Sequence, residues 1–68
     1  MIMTLAEISK KTRELLNLKQ RELAKLIGTN QTEISFIERG FIPNDKDKIN
    51  KIYALYNESK KGNKYEQS

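Results

Sequence analysis

The sequence predicts an all-α fold, a compact bundle of four short helices with a fifth as an alternative. Apolar residues recur at intervals of three and four positions along most of the chain. Residues typical of helix ends interrupt this pattern near positions 17, 28 and 40. Between positions 20 and 39, two short helical patterns meet at a tight corner. This last arrangement predicts a helix-turn-helix motif.

The first helix is predicted from Leu5 to about Leu16. Thr4 and Glu7 have the spacing of a capping box, in which each side chain accepts a hydrogen bond from the backbone N–H of the other. Asn17 follows the helix and is a residue that tolerates the left-handed backbone conformation of a helix end.

The predicted motif over residues 20–39 contains the second and third helices, at about 20–27 and 31–39. Gly28 can take the left-handed backbone that ends the first of them, and Asn30 can cap the second. Glu33 lies three positions after Asn30, which predicts a second capping box, although a carboxylate here could also accept from a cytosine amino group. Lys19 stands where serine or threonine would be the better cap, which costs about 1 kcal/mol in typical helices.

A fourth helix is predicted after a cap at Asn44 or Asp45, because apolar residues recur at helical spacing up to Tyr56. The connector before it, residues 41–43, is apolar enough to pack against the core. We therefore place a helical domain at residues 1–57. Residues 58–68 form a polar tail that is expected to be disordered.

The composition excludes several classes of protein. With 68 residues the chain is a single domain, and without cysteine or histidine it can form neither a disulfide nor a Cys/His zinc site. The sequence contains no catalytic residues at a recognisable spacing, so neither an enzyme nor a cofactor is expected. No apolar run approaches the roughly 20 residues of a membrane span, which indicates a cytoplasmic protein. The net charge of +4 mildly favours a polyanionic partner.

The outward face of the third helix carries the candidate functional residues. Its side chains can donate and accept hydrogen bonds, carry charge and offer an apolar edge, which are the requirements for recognising bases in a DNA groove. The residues predicted on this face are Gln31, Thr32, Ser35, Phe36 and Arg39.

From Leu5 to about Pro43 the chain resembles the helix-turn-helix domain of lambdoid phage repressors and Cro proteins, the xenobiotic-response-element family of regulators. The resemblance is carried by two strings, Gln20-x-x-Leu23-Ala24 and Ile37-Glu38-Arg39-Gly40, together with scattered single positions. It implies a sequence-specific transcriptional regulator, most often a repressor, that binds double-stranded DNA as a homodimer on inverted half-sites. Dimer contacts are then expected around Ile42, Tyr53, Leu55 and Tyr56.

Specific roles follow from the resemblance and from the position of each residue. Arg13 and Glu38 match a structural ion pair between the first and third helices of related repressors. The predicted base contacts are Gln31, Thr32, Ser35 and Phe36. The predicted phosphate contacts are Lys19, Gln20, Arg39, Lys46 and Lys48.

The role of Phe36 and the class of function remain open at the level of the sequence. Phe36 could touch thymine methyl groups or sugars, pack as ordinary core against Phe41 and the fourth helix, or mark a surface that binds a protein. In the last case the chain would be an interaction module, such as an antirepressor or adaptor, that binds another protein through Phe36, Phe41 and Ile42. A further alternative is an antitoxin, which would bind both DNA and a toxin and dock the toxin through its tail.

Overall fold

The computed structural model describes residues 3–64. This range contains four α-helices, α1 (Leu5–Leu16), α2 (Gln20–Ile27), α3 (Gln31–Glu38) and α4 (Lys46–Lys64), and no strand. The first helix packs mainly against α4 and also against α3, while α2 packs against α3. The all-α prediction is therefore confirmed. None of the helices in residues 3–64 combines the length and the apolar character that crossing a membrane requires.

Every helix contributes to one apolar core. Burying these side chains is the main favourable contribution to folding, since the chain has no disulfide. Half-buried side chains close the core at its edges: Met3, Leu18, Ile49, Leu55 and Tyr56. The buried residues are Leu5 and Ile8 from α1, Leu23, Ala24 and Ile27 from α2, Ile34 and Ile37 from α3, and Ile52 from α4.

The helix ends follow the local signals in the sequence. The Glu7 N–H donates to Thr4 Oγ1 at 3.1 Å, and the Thr4 N–H donates to Glu7 Oε1 at 2.8 Å, which completes the predicted capping box. Asn17 ends α1 with φ 58°, and Gly28 ends α2 with φ 79°. Both residues thus adopt the left-handed conformation predicted for them.

The start of α2 is stabilised in a way that the sequence analysis missed. Lys19 offers no acceptor to the free N–H groups of the first turn, as expected for lysine. The carboxylate of Glu22, however, accepts a hydrogen bond from the Lys19 backbone N–H at 2.7 Å. This bond partly offsets the missing cap and places a negative charge at the helix N-terminus, where it is favourable.

Only one of the two hydrogen bonds of the predicted capping box at α3 is present. Asn30 Oδ1 accepts from the Glu33 N–H at 2.9 Å, as predicted. The Glu33 carboxylate turns away from the Asn30 backbone and instead binds the Thr29 hydroxyl and the ammonium group of Lys48, 2.8 Å away. A charge-assisted bond to lysine is stronger than a bond to a backbone amide, which accounts for the difference.

The connector to α4 is more exposed than predicted. Only Pro43 is buried, whereas Phe41 and Ile42 are 52% and 58% exposed. Gly40 has φ 113° and lets the chain turn sharply after α3. The turn carries the two apolar side chains outward, so the prediction that this segment packs against the core is wrong for both.

The fourth helix extends beyond the boundary drawn at residue 57. Asp45 caps it, since its carboxylate accepts from the Asp47 N–H at 2.9 Å, and the helix continues to Lys64. Ser59 is buried and donates its hydroxyl to the Tyr56 carbonyl at 2.7 Å, which places this polar residue inside the helical packing. Residues 58–64 of the predicted tail thus continue α4, and residues 65–68 lie outside the described range.

Candidate nucleic-acid interface

One face of α3 turns away from the core along the length of the helix. Ile34 and Ile37 turn into the core and fix the rotation of the helix about its axis. The opposite side presents the four residues predicted to contact bases. Gln31 and Thr32 are exposed at the N-terminal end, Ser35 is half-buried, and Phe36 is exposed near the C-terminal end.

Phe36 lies in a small cluster of rings and charge at the end of α3. Its ring contacts that of Phe41 edge-on, with centroids 6.5 Å apart. The Arg39 guanidinium carbon lies 4.9 Å from the Phe36 centroid, within the range of a cation–π interaction. The Phe36 side chain nevertheless stays 46% exposed, so the interpretation as ordinary core is wrong.

A buried hydrogen-bond network lies behind this surface and joins α1, α2 and α3. The Glu38 carboxylate, only 4% exposed, accepts from Arg13 Nη2 at 2.7 Å and from Arg13 Nε at 2.8 Å. It also accepts from Ser9 Oγ at 2.7 Å and from Gln20 Nε2 at 3.1 Å. The pair that the resemblance implies between Arg13 and Glu38 is thus the centre of a four-residue network.

Sequence analysis did not identify Ser9 as part of this network. Ser9 lies one helical turn before Arg13, however, so both side chains leave the helix on the same side. This spacing was the available signal that Ser9 could share a partner with Arg13.

The network sets the protonation state of Glu38. Burial raises the pKa of the carboxyl, but the hydrogen bonds from Arg13, Ser9 and Gln20 outweigh that effect and hold the pKa below its ordinary value of 4.5. The bond to Glu38 in turn raises the pKa of Arg13. The carboxylate and the guanidinium are therefore both charged at neutral pH.

Acid should destabilise the fold through Glu38. Because the pKa of Glu38 is lower in the folded than in the unfolded chain, its contribution is complete above about pH 4.5 and is lost as the pH falls through the folded-state pKa. We expect the Tm to drop between pH 5 and pH 3, and to drop less steeply in Glu38→Gln. Thermal melts followed by circular dichroism measure both profiles. Glu14→Gln, an exposed position on α1, should keep the parental slope.

The five predicted phosphate contacts fall into two groups. Lys19, Arg39 and Lys46 are exposed. Gln20 and Lys48 are half-buried and already bonded within the protein, Gln20 to Glu38 and Lys48 to Glu33. Glu33 raises the pKa of Lys48 through their hydrogen bond, and Lys48, with a further bond from Thr29, lowers that of Glu33.

Gln20 keeps one donor free for a second partner. A carboxamide nitrogen carries two N–H groups, and Glu38 takes one of them. Gln20 is also the first residue of α2, where unpaired backbone N–H groups and the helix dipole favour an anion. The bond to Glu38 therefore fixes the side chain at a helix terminus that is suited to a phosphate.

Comparison with known protein families agrees with this geometry. The family described as helix-turn-helix matches residues 10–50, more than half of the chain. The match spans the end of α1, the whole of α2 and α3, and the start of α4. Comparisons with curated proteins and with solved structures gave no match. The chain thus belongs to the Cro/C1-type helix-turn-helix family, the xenobiotic-response-element family of DNA-binding regulators.

Proposed function

We propose that this protein is a transcriptional repressor of the phage or mobile-element type, which binds a specific double-stranded DNA operator by inserting α3 into the major groove. The observation that carries the proposal is the exposed hydrogen-bonding face of α3 within a helix-turn-helix. This role requires neither catalysis nor a cofactor. It requires access to DNA, and the cytoplasm is therefore the proposed location.

The N-terminal end of α3 is the proposed site of base recognition. Gln31 is the first residue of this helix and is exposed, so its carboxamide can reach along the helix axis into the groove. There it can bond both N6 and N7 of an adenine. Thr32 and Ser35 can bond several bases, and the exposed ring of Phe36 can contact a thymine methyl group.

Contacts with the phosphates of the DNA backbone are proposed on the two sides of α3. Lys19 and Gln20 hold one phosphate at the start of α2, and Arg39, Lys46 and Lys48 hold the next ones beyond the end of α3. These contacts fix the position of α3 in the groove but carry no sequence information. One α3 spans few base pairs, so we propose a homodimer on inverted half-sites about 34–36 Å apart.

The function is tested by selecting binding sites from a random duplex pool and measuring affinity by fluorescence anisotropy. We expect a recurring inverted sequence, bound at least about a thousandfold more tightly than a scrambled duplex. Single strands of the selected sequence should bind no better than the scrambled duplex. A pool that shows no enrichment after repeated rounds would contradict sequence-specific recognition.

Gln31→Ala is expected to weaken binding to the selected duplex by about 1–3 kcal/mol and to relax the preference at one base pair. Its affinity for scrambled DNA should barely change, because no phosphate contact is lost. Anisotropy titrations on a set of single-base variants measure both effects. Asn50→Ala, an exposed amide on α4, is the matched control and should behave like the parent. Equal losses on selected and scrambled DNA would exclude base recognition by Gln31.

Glu33→Gln is expected to strengthen binding to scrambled DNA. The substitution removes a negative charge from the first turn of α3 and releases Lys48, which lies 2.8 Å from the Glu33 carboxylate. One more phosphate contact should steepen the salt dependence by about one unit of slope. Glu14→Gln, on α1, makes the same change in net charge as Glu33→Gln and should leave the slope of the salt dependence unchanged. An unchanged slope in Glu33→Gln would show that the ion pair with Glu33 does not hold Lys48 away from phosphates.

A second candidate function is an interaction module, an antirepressor, adaptor or antitoxin with the same fold. The observation that favours it is the exposure of Phe36, Phe41 and Ile42, three large apolar side chains at the end of α3 and in the following connector. An apolar interface responds little to salt, so the salt dependence of binding separates the two functions.

A further inference from the structure

A second exposed apolar surface lies in a shallow groove between α2 and α4. Leu26 on α2 is 58% exposed there, although leucine is a residue type that is most often buried. Ala54 and Leu55 on α4 form the other wall, and Lys51 and Glu58 lie at the two ends of that wall. We call these five residues the α2/α4 groove. None of the DNA contacts proposed above involves these residues.

Ala54 lies on the side of α4 that faces away from the core. Ile52 is fully buried and Tyr56 is half-buried, and each is two positions from Ala54. Two positions correspond to about 200° around a helix, so Ala54 points nearly opposite to both. Its small side chain is exposed and leaves room for a second helix to approach closely.

The two charged residues of this wall are spaced so that they could pair with the same two residues of a second copy. Lys51 and Glu58 are seven positions apart, about two helical turns or 10.5 Å. Both are exposed, and neither forms an ion pair with another side chain of residues 3–61. Ala54 and Leu55 lie midway between them. A two-fold axis through this midpoint would bring two antiparallel copies of α4 together with Lys51 beside Glu58 of the partner subunit.

We propose that the occupant of the α2/α4 groove is the same groove of a second copy of this chain. The two α4 helices pack antiparallel, Ala54 contacts Leu55 of the partner subunit, and two symmetry-related ion pairs form at the ends. Leu26 closes each side of the interface. A surface that is its own complement is what a closed two-fold dimer requires. The inference rests on the proposed function in one respect, since inverted half-sites call for two copies.

Charge reversal tests this interface without DNA. Lys51→Glu and Glu58→Lys each place like charges together twice in the dimer, whereas the double variant restores two opposite pairs. Sedimentation equilibrium should show a dimer for the parent and at least about tenfold weaker dimerisation for each single variant. The double variant should recover most of that loss. Lys10→Glu carries the same charge change on α1 and should dimerise like the parent.

A cross-link provides a second and independent measurement. The chain has no cysteine, so Ala54→Cys introduces one thiol next to the proposed two-fold axis. Mild oxidation should convert this variant to a disulfide-linked dimer, while Lys10→Cys under the same conditions should stay monomeric. Circular dichroism melts establish that each variant is folded.

The proposal is overturned if the parent is monomeric at millimolar concentration, if the double charge variant is no better than the single ones, or if Ala54→Cys cross-links no faster than Lys10→Cys. The first result would leave the groove to a different protein or to solvent. Duplex binding measured on the same samples keeps the two proposals apart. Specific DNA binding without dimerisation through α4 contradicts only this interface, and a dimer that binds no DNA contradicts only the proposed function.

Discussion

Glu38→Ala is expected to lower the free energy of unfolding by about 3–5 kcal/mol, the usual effect of removing one partner from a buried ion pair. The substitution removes the acceptor of four hydrogen bonds from Ser9, Arg13 and Gln20. Ser9 is fully buried, so its hydroxyl would lose its partner away from water. A domain of 68 residues has a total stability of about 3–10 kcal/mol, so the substitution should remove a large part of it.

Urea unfolding at pH 7 measures this loss, and Arg13→Ala completes a double-mutant cycle. Arg13→Ala alone should also destabilise strongly, because it leaves the Glu38 carboxylate buried with only neutral donors. The double variant should recover part of the summed loss. Glu14→Ala, a 73% exposed side chain, should change the stability by less than about 0.5 kcal/mol. Strictly additive effects of Arg13 and Glu38 would contradict the coupling.

The boundaries of the first three helices could be predicted because local interactions determine them. Thr4 and Asn30 cap helices through bonds that span three positions, and Asn17 and Gly28 end helices through their own backbone conformation. Such contacts involve neighbours in the chain, so the sequence alone contains them. The same holds for the buried face of α3, because Ile34 and Ile37 follow the helical period.

Most of the contacts that sequence analysis missed join distant positions in the chain. Ser9 meets Glu38 across 29 positions, and Lys48 meets Glu33 across 15. Whether such pairs form depends on how the helices are arranged, which the local pattern of residues does not determine. The resemblance to related repressors supplied Arg13 as a partner of Glu38, but it supplied neither Ser9 nor the bond from Gln20.

The candidate site was predictable in outline for a related reason. The helical period placed Gln31, Thr32 and Phe36 on the outward face of α3, and all three are exposed there. The period could not show that Lys48 is already paired with Glu33. This pairing decides whether three or four cationic side chains of each copy can bind phosphates. The two cases differ in how steeply DNA affinity falls with salt.

Binding to the selected duplex is expected to weaken steeply with salt. Each phosphate neutralised by lysine or arginine contributes about 0.9 to the slope of log affinity against log salt concentration. Lys19, Arg39 and Lys46 alone predict a loss of about fortyfold per copy between 50 and 200 mM salt, and with Lys48 the loss becomes about 150-fold. Anisotropy titrations at several salt concentrations determine the slope. A dimer bound to both half-sites should show about twice the slope of one copy on a single half-site.

Single substitutions assign the slope to individual residues. Lys46→Ala and Arg39→Ala should each reduce it by about one per copy and weaken selected and scrambled duplexes alike, since phosphates carry no sequence information. Arg39→Ala also removes the stacking on Phe36, so Arg39→Lys, which keeps the charge, should retain the slope while losing that planar contact. Lys10→Ala, on α1, is the control and should leave the slope unchanged. A slope near zero for the parent would contradict phosphate binding altogether and favour the apolar cluster of Phe36, Phe41 and Ile42 as a surface that binds another protein.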